Sequence, residues 1–196
     1  MAEFSGRLIR LYLATLHEVS QQEYAHILHQ AGWDRFLAAL PPDTDAPLLT
    51  EAESQQMDQV CYAMLGEDLY RLFTRNIGVK TAQALLASPW GAALRAQVAQ
   101  APPAARPRRA LDALAQFYQA GGVQMLVGED ARAWYLTLPD CPTCTGLQGA
   151  RAPLCATASV GVKMILDQTG GPRYRVDETA CRAMGAPACV YTIPRP

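Results

Sequence analysis

Four residues near the C-terminus carry side chains that together could bind a metal ion: Cys155, Glu178, Cys181 and Cys189. Zn²⁺ accepts thiolate sulfur and carboxylate oxygen in tetrahedral sites. Three thiolates and one carboxylate would fill all four positions and leave none open for a substrate. The residue types therefore predict a structural zinc site.

The first ligand stands before a predicted helix. Cys155 opens a helical segment that reaches Gln168, and residues 170–172 (Gly-Gly-Pro) are expected to end it. The backbone N–H groups and the dipole at a helix N-terminus favour the thiolate form of a cysteine. Cys155 is therefore well suited to metal binding.

The other ligands belong to two predicted strands and the loop between them. Alternation along Tyr174–Glu178 and Cys189–Ile193 places Glu178 and Cys189 on otherwise apolar faces. A buried, unpaired carboxylate is costly, and a metal ion is one way to satisfy it.

A simpler interpretation needs no metal. Buried cysteines often pack as small hydrophobic residues. Glu178 would then form an ion pair with Arg173, Arg175 or Arg182.

A separate pair, Cys141 and Cys144, forms a Cys-x-x-Cys motif in the loop of residues 139–153. Such a pair can be part of a zinc site, a redox pair, or a turn with two idle thiols, and the sequence leaves its role open. Cys61 lies on the apolar stripe of a helix and is predicted to belong to the core.

The first 120 residues read as helices. Leu8, Tyr12, Leu16 and Val19 mark one stripe. A second helix is predicted over Glu23–Gln30, and a third is capped by Thr50 or Ser54 and ended by Gly66. A fourth helix runs from Leu69 toward Leu85 and Leu86. A linker over Ala99–Pro107 and a helix over Arg108–Tyr118 follow.

From Gly121 onward the hydrophobic period changes to two. Residues 123–127 and Arg132–Leu138 are predicted strands joined by a turn at Gly128–Asp130, and the second pair of strands follows the helix at Cys155. The sequence predicts an α+β fold, with a helical N-terminal half packed on an antiparallel four-stranded sheet built in the order β-β-α-β-β. We expect residues 1–50 to be a helical extension and 51–196 to form the main domain.

Composition restricts the partners. Half of the residues are hydrophobic, 18% are charged and the net charge is −1, so the basic surface that nucleic-acid binding requires is not expected. No apolar run reaches the ~18 residues of a membrane span, and no signal peptide is recognisable. We expect a cytoplasmic protein with reduced thiols, in which six cysteines favour metal binding or core packing over disulfides.

The C-terminal segment resembles the 4-vinyl reductase domain family, also described as hydrocarbon-binding. Its ending ETACRAMGAPACVYTI follows the family pattern E-x-x-C-x-x-x-G-x-x-x-C-x-x-x-I, and PLC matches the upstream cysteine before a helix. DCPTCTG is similar to a segment often found just before that cysteine. GEDLYRLFTRNIGVKTAQALL resembles the helical half, so the likeness spans roughly Ser54 to Ile193.

This resemblance implies a fold shared with TRAPP-type tethering subunits and haem-type NO sensors. It also implies zinc at Cys155, Glu178, Cys181 and Cys189, as in phenol-sensing domains of this family. Such sensors contact their ligand through a tryptophan that Trp134 matches, together with a histidine. That histidine has no counterpart here, because His17, His26 and His29 all belong to the N-terminal helices.

The function expected from these observations is binding of a small hydrophobic or aromatic ligand, as a non-enzymatic sensor module with a structural zinc, in a homodimer. The candidate pocket residues lie between the sheet and the helices: Trp134, Phe117, Tyr118 and Met125. Core packing is the simpler role for each of them. One alternative is a reductase or accessory protein of tetrapyrrole (bacteriochlorophyll) synthesis, although neither a glycine-rich nucleotide motif nor a catalytic triad is recognisable. Another is an interaction protein of the TRAPP type.

Overall fold

The computed structural model describes residues 4–169 and 173–195. Six helices are found there: α1 (Gly6–Val19), α2 (Tyr24–Gln30), α3 (Glu51–Ala87), α4 (Pro89–Gln100), α5 (Arg106–Ala120) and α6 (Ala156–Asp167). The strands are β1 (Phe4–Ser5), β2 (Pro47–Leu49), β3 (Leu126–Glu129), β4 (Ala133–Leu138), β5 (Asp177–Ala180) and β6 (Cys189–Pro194). The predicted helix end at 170–172 lies outside the described residues.

The long helix α3 is the centre of the helical half. Thr50 caps it in a reciprocal arrangement: the Thr50 hydroxyl accepts from Glu53 N–H at 3.3 Å, and a Glu53 carboxylate oxygen accepts from Thr50 N–H at 2.8 Å. At Gly66 the backbone leaves the helical region, with φ of 71° and ψ of 170°. This positive φ suits glycine, and it divides α3 into the two helices that the sequence predicts.

Helices α1 and α2 pack on α3. The buried stripe of α1 is centred on Ile9, Leu13 and Leu16, whereas Leu8 is only partly buried. The observed buried stripe is thus rotated by about one residue from the predicted one. Tyr12, which the prediction placed in the stripe, lies at its edge, and its hydroxyl reaches Asp58 on α3. The prediction for α2 is confirmed to within one residue at its start.

The predicted linker over Ala99–Pro107 is much shorter in the structure. Helix α4 runs to Gln100, and α5 begins at Arg106. Pro102 and Pro103 separate the two helices, since proline lacks the N–H that a continuous helix requires. Helix α4 was not predicted, because its alanines give little contrast between a buried and an exposed face.

The four longer strands form one antiparallel sheet in the order β3-β4-β6-β5. Each predicted hairpin is present, and β4 joins β6 in a register that pairs Leu138 with Cys189 and Trp134 with Ile193. Strands β3 and β5 differ most from the prediction, whereas β4 and β6 each differ by one residue. Strand β3 starts at Leu126 rather than 123, Gly128 and Glu129 belong to it, and β5 runs over Asp177–Ala180 instead of 174–178.

The turn between β3 and β4 explains one of these differences. The Asp130 carboxylate accepts from the N–H groups of Arg132 and Ala133 at 2.7 and 2.9 Å. This side-chain turn moves the reversal of the chain two residues further along than the glycine signal indicated.

The predicted α+β fold, with a helical N-terminal half and a four-stranded antiparallel sheet, is confirmed. A single hydrophobic core runs from Ile9 in α1 to Ile193 in β6. Within the described ranges, every helix is too short or too polar to span a bilayer.

Candidate metal centre

One end of the sheet collects the cysteines. Strand β4 ends at Leu138, three residues before Cys141, and β6 begins opposite it at Cys189. Strand β5 is antiparallel to β6. The end of β5, which Cys181 follows, therefore lies at the same end of the sheet as Cys189. The antiparallel topology therefore brings three separate chain segments with thiols to one place.

The fourth segment is the start of α6, which α3 holds in position. The Thr74 hydroxyl donates to Leu154 O at 3.1 Å, and the Thr157 hydroxyl donates to Thr74 O at 2.7 Å. Gly78 allows this close approach, because a Cβ there would lie 2.6 Å from Thr157 O. Cys155 thus lies between Leu154, whose carbonyl is bonded to α3, and Thr157, whose hydroxyl is bonded to α3.

Five cysteine sulfurs meet at this end of the sheet, and each of these residues is at most 2% exposed. Cys155 Sγ lies 3.1 Å from Cys141 Sγ, 2.9 Å from Cys144 Sγ and 3.8 Å from Cys189 Sγ. Cys144 Sγ lies 3.5 Å from Cys181 Sγ and 3.7 Å from Cys189 Sγ. The structure therefore places the three predicted thiol ligands together and adds the Cys-x-x-Cys pair to them.

Glu178 reaches the same cluster from β5. One of its oxygens, Oε2, accepts from the backbone N–H of Cys155 at 3.0 Å, whereas Oε1 is buried without a partner. Two of the arginines considered as partners bond elsewhere: Arg175 pairs with Asp177 and Arg182 with Asp140. One oxygen from Glu178 and one sulfur each from Cys144, Cys155, Cys181 and Cys189 all lie within 4.8 Å of one another.

A tight turn links the last two thiols. Cys181 O accepts from Met184 N–H and Ala186 N–H, and Gly185 takes the left-handed conformation with φ of 94°. The turn directs Arg182 N–H toward Cys189 Sγ at 3.4 Å. A backbone N–H aimed at a sulfur stabilises negative charge on it.

The buried thiols and Glu178 shift one another's pKa values. Burial, together with the charges of Cys181 and Cys189, raises the pKa of Glu178 to about 10. Hydrogen bonds from Cys144 and Cys155 lower the pKa of Cys181 to about 6, while contacts with Cys141 and Cys144 raise the pKa of Cys155. Without a cation the buried groups must share protons, whereas a bound metal would deprotonate the thiols that coordinate it.

The donor set fits Zn²⁺. Sulfurs at about 2.3 Å from a tetrahedral zinc lie about 3.8 Å apart, and three of the sulfur pairs are separated by 3.5, 3.7 and 3.8 Å. The unpartnered Glu178 Oε1 supplies a further buried donor. Zinc held here would be structural: it would tie α6 to β5, β6 and the loop after β4.

One of the four predicted pocket residues, Met125, lines a groove beside α5. Met125 borders a groove of about 360 Å³ between α5, α4 and β3, without Trp134, Phe117 or Tyr118. Trp134 is buried under Arg195, whose guanidinium lies 4.8 Å from the ring centre. Phe117 is 41% exposed and packs on Trp90 at 5.2 Å.

Tyr118, another predicted pocket residue, lies near two of the clustered thiols. Burial raises its pKa to about 12, and the nearby thiols of Cys141 and Cys155 add to the effect. The three histidines, His17, His26 and His29, are exposed on α1 and α2.

Two solved structures that are similar to this chain are distant from it in sequence. The crystal structure of the phenol-responsive sensory domain of the transcription activator PoxR with phenol is 17% identical, covers 79% of each chain and has a TM-score of 0.48. An H-NOX protein from S. oneidensis in the Fe(II)NO ligation state is 12% identical, covers 98% of this chain and 100% of its own, and has a TM-score of 0.47. No curated protein matches the chain.

The family comparison concerns the segment that carries the metal centre. It begins at Trp134 in β4 and ends at Pro194 in β6, and all five clustered cysteines lie inside it. Residues 134–194 match the model of the 4-vinyl reductase domain family, which confirms the resemblance that the cysteine and glutamate motif predicts.

Proposed function

We propose that this chain is a non-enzymatic module that binds a small hydrophobic or aromatic molecule and that a structural Zn²⁺ stabilises its C-terminal half. The observation that carries the proposal is the buried group of thiols and Glu178 inside the segment that matches the 4-vinyl reductase domain family. The three thiolates of Cys155, Cys181 and Cys189 would hold the ion, and the sequence predicts Glu178 as the fourth ligand. In this role zinc supplies no reaction; it neutralises thiolate charge and joins three segments: the start of α6, β5 with the turn that follows it, and the start of β6.

Ligand binding would take place between the sheet and the helices. The groove beside Met125 measures about 360 Å³, within the usual range of small-molecule sites, about 300–1,000 Å³. Its floor is formed by Met125, Leu126 and Val127, and residues of α5 form its wall. Six of the eleven lining residues are polar or charged: Gln97, Arg108, Arg109, Asp112, Gln116 and Gln119. The groove would therefore suit an aromatic ligand that also carries polar groups.

A division into an extension and a main domain is also part of the proposal. We propose that residues 1–50 are an extension and that residues 51–196 form the binding domain. The extension packs on α3 through contacts such as Tyr12 with Phe73, whose ring centres lie 4.8 Å apart. A homodimer and a cytoplasmic location remain part of the proposal.

The test combines metal analysis with native mass spectrometry of protein purified without added zinc or ligand. We expect one Zn²⁺ per chain and a further mass from a co-purified small molecule. The fraction of protein that carries this molecule should be lower in Met125→Ala. It should be unchanged in the matched variant Met64→Ala, because Met64 lies on α3, away from the groove. Protein without metal would contradict the zinc site. Turnover of a vinyl-bearing tetrapyrrole with a nicotinamide donor would favour the reductase instead.

A further inference from the structure

The metal centre offers more donors than one tetrahedral ion can use. Five sulfurs and one carboxylate converge, whereas tetrahedral zinc takes four ligands. Cys155, Cys181 and Cys189 are the three thiol ligands of the proposed site, and these common thiols come from three different segments. The open question is which group completes the site: Glu178, Cys141 or Cys144.

Cys144 has the better position of the two loop thiols. Its sulfur contacts all three of the common thiols, at 2.9 Å from Cys155, 3.5 Å from Cys181 and 3.7 Å from Cys189. The last two distances are close to the edge of about 3.8 Å expected between sulfurs of a four-thiolate zinc site. Cys141 contacts Cys155 at 3.1 Å and lies outside the group of donors within 4.8 Å of one another.

The loop that carries Cys144 is itself held in place. Pro142–Cys144 forms a 3₁₀ turn, in which Cys144 N–H donates to Cys141 O at 3.1 Å. Ala150 N–H donates to Ala183 O at 3.0 Å, so the loop is bonded to the turn that carries Cys181. These backbone hydrogen bonds hold the loop of Cys144 against the turn that carries Cys181, without any need for a metal ion.

One oxygen of Glu178 already has a protein partner. Oε2 already accepts from Cys155 N–H at 3.0 Å. The residue directly opposite in β6 is Tyr191, and its buried hydroxyl lacks a partner, as does Glu178 Oε1. The hydrogen bond to Cys155 N–H therefore gives Glu178 a contact with the site that does not require its carboxylate to bind the ion.

We infer that Cys144 is a metal ligand, so that the ion is held by the four thiolates of Cys144, Cys155, Cys181 and Cys189. Glu178 lies outside this shell and orients Cys155 through its backbone N–H, the positioning role that outer-shell carboxylates have in metal sites. Zinc accepts thiolate readily, and a fourth sulfur completes a closed structural site. This inference rests on the proposed metal site and names its fourth ligand.

Cobalt substitution tests the inference on the full-length protein. The wild type and the variants Cys144→Ser, Glu178→Gln and Cys141→Ser are loaded with Co²⁺, and the sulfur-to-cobalt charge-transfer absorption is measured per bound ion. We expect Cys144→Ser to lose about a quarter of this absorption, because one of four thiolates is removed, or to lose the metal altogether. Cys141→Ser, the matched thiol in the same loop, should keep the wild-type spectrum.

Glu178→Gln keeps the inference testable even if Cys144→Ser fails to fold. Its ligand-field bands and charge-transfer intensity should equal those of the wild type, with metal affinity lower by about 10–100-fold, as for loss of an outer-shell partner. A shifted ligand-field spectrum in Glu178→Gln, or an unchanged spectrum in Cys144→Ser, would overturn the four-thiolate site and leave the proposed metal site standing. A wild-type protein that binds neither Zn²⁺ nor Co²⁺ would overturn both.

Discussion

The interface between α1 and α3 and the thiol end of the sheet are both buried, but they meet the cost of burial in different ways. Between the helices, the Tyr12 hydroxyl donates to Asp58 Oδ1 at 2.8 Å, and large side chains such as Leu13 and Phe73 are fully enclosed. At the sheet end, five small thiols converge, and Glu178 Oε1 has no partner. The buried carboxylate of the first region has a protein partner, whereas a bound cation would balance the charge of the thiols in the second.

This difference concerns the source of stability. A fully buried Leu or Phe contributes about 1.5–3 kcal/mol through the hydrophobic effect, and the helical half contains many such residues. Cysteines bury little apolar area each, and ionised thiols repel one another. We therefore expect the sheet end to depend on metal and the helical half to depend on packing.

The largest effect is expected on loss of a zinc ligand. Cys189→Ala should remove the metal and most of the soluble protein, because structural zinc can contribute about 10 kcal/mol or more in small domains. Metal content and yield of folded protein are the measurements. Cys61→Ala is the matched control: Cys61 is equally buried, but on α3, and the change should cost about 1 kcal/mol, near the centre of point-mutant effects.

The same comparison separates the two interpretations of the cysteines. If all of them pack only as small hydrophobic residues, Cys189→Ala and Cys61→Ala should have similar unfolding free energies. Should Cys189→Ala keep its metal and Cys141→Ala lose it, the ligand set would have to be built around the Cys-x-x-Cys pair instead.

A second prediction tests the helical half by itself. Phe73 is fully buried and makes an edge-to-face contact with Tyr12. Phe73→Ala should lower the free energy of unfolding by about 3–5 kcal/mol, through lost burial and the cavity left behind. Urea unfolding measures this, and the metal content of the folded fraction should stay at the wild-type value. A proportional loss of metal would mean that the two regions are one cooperative unit.

These two regions also differ in how far the sequence predicts them. The start of α3 at Thr50 and its break at Gly66 follow from capping and φ preferences within a few residues. The meeting of Cys144 with Cys155, Cys181 and Cys189 depends on how β4 pairs with β6. Single-residue patterns do not encode that register, so the role of the Cys-x-x-Cys pair stayed open. Likewise, the sequence does not predict α4, because alanine-rich helices have little hydrophobic periodicity.

The third prediction concerns pH and Asp58. Burial, opposed by the hydrogen bond from Tyr12, raises its pKa from 3.8 to about 7. The folded state then keeps a proton that the unfolded chain releases near pH 4, so the contribution of this group is largest below pH 4 and is lost as the pH rises toward 7. The loss amounts to at most about 4 kcal/mol, at about 1.4 kcal/mol per pKa unit.

Asp58→Asn removes this titration and keeps an oxygen that can accept from Tyr12. The unfolding free energy of the wild type, measured relative to Asp58→Asn by urea titration, should fall from pH 5 to pH 7 and change little above it. The difference between the two proteins cancels the pH dependence of the metal site. A difference that stays constant from pH 5 to 8 would show that Asp58 is already ionised at pH 5 in the folded protein.

The smallest effect is expected at the start of α3, where the helical half stabilises a helix end with side chains alone. Thr50→Ala removes the hydroxyl that accepts from Glu53 N–H and should cost about 1 kcal/mol, since loss of an N-cap typically costs about 0.5–2 kcal/mol. Ser54→Ala is the matched control: Ser54 lies inside α3, and alanine has the higher helix propensity there, so stability should be unchanged or slightly higher. Urea unfolding of both variants measures the difference, and metal content should be unchanged in each. If Ser54→Ala proved the more destabilising, the helix would begin one turn later than the Thr50–Glu53 pairing indicates.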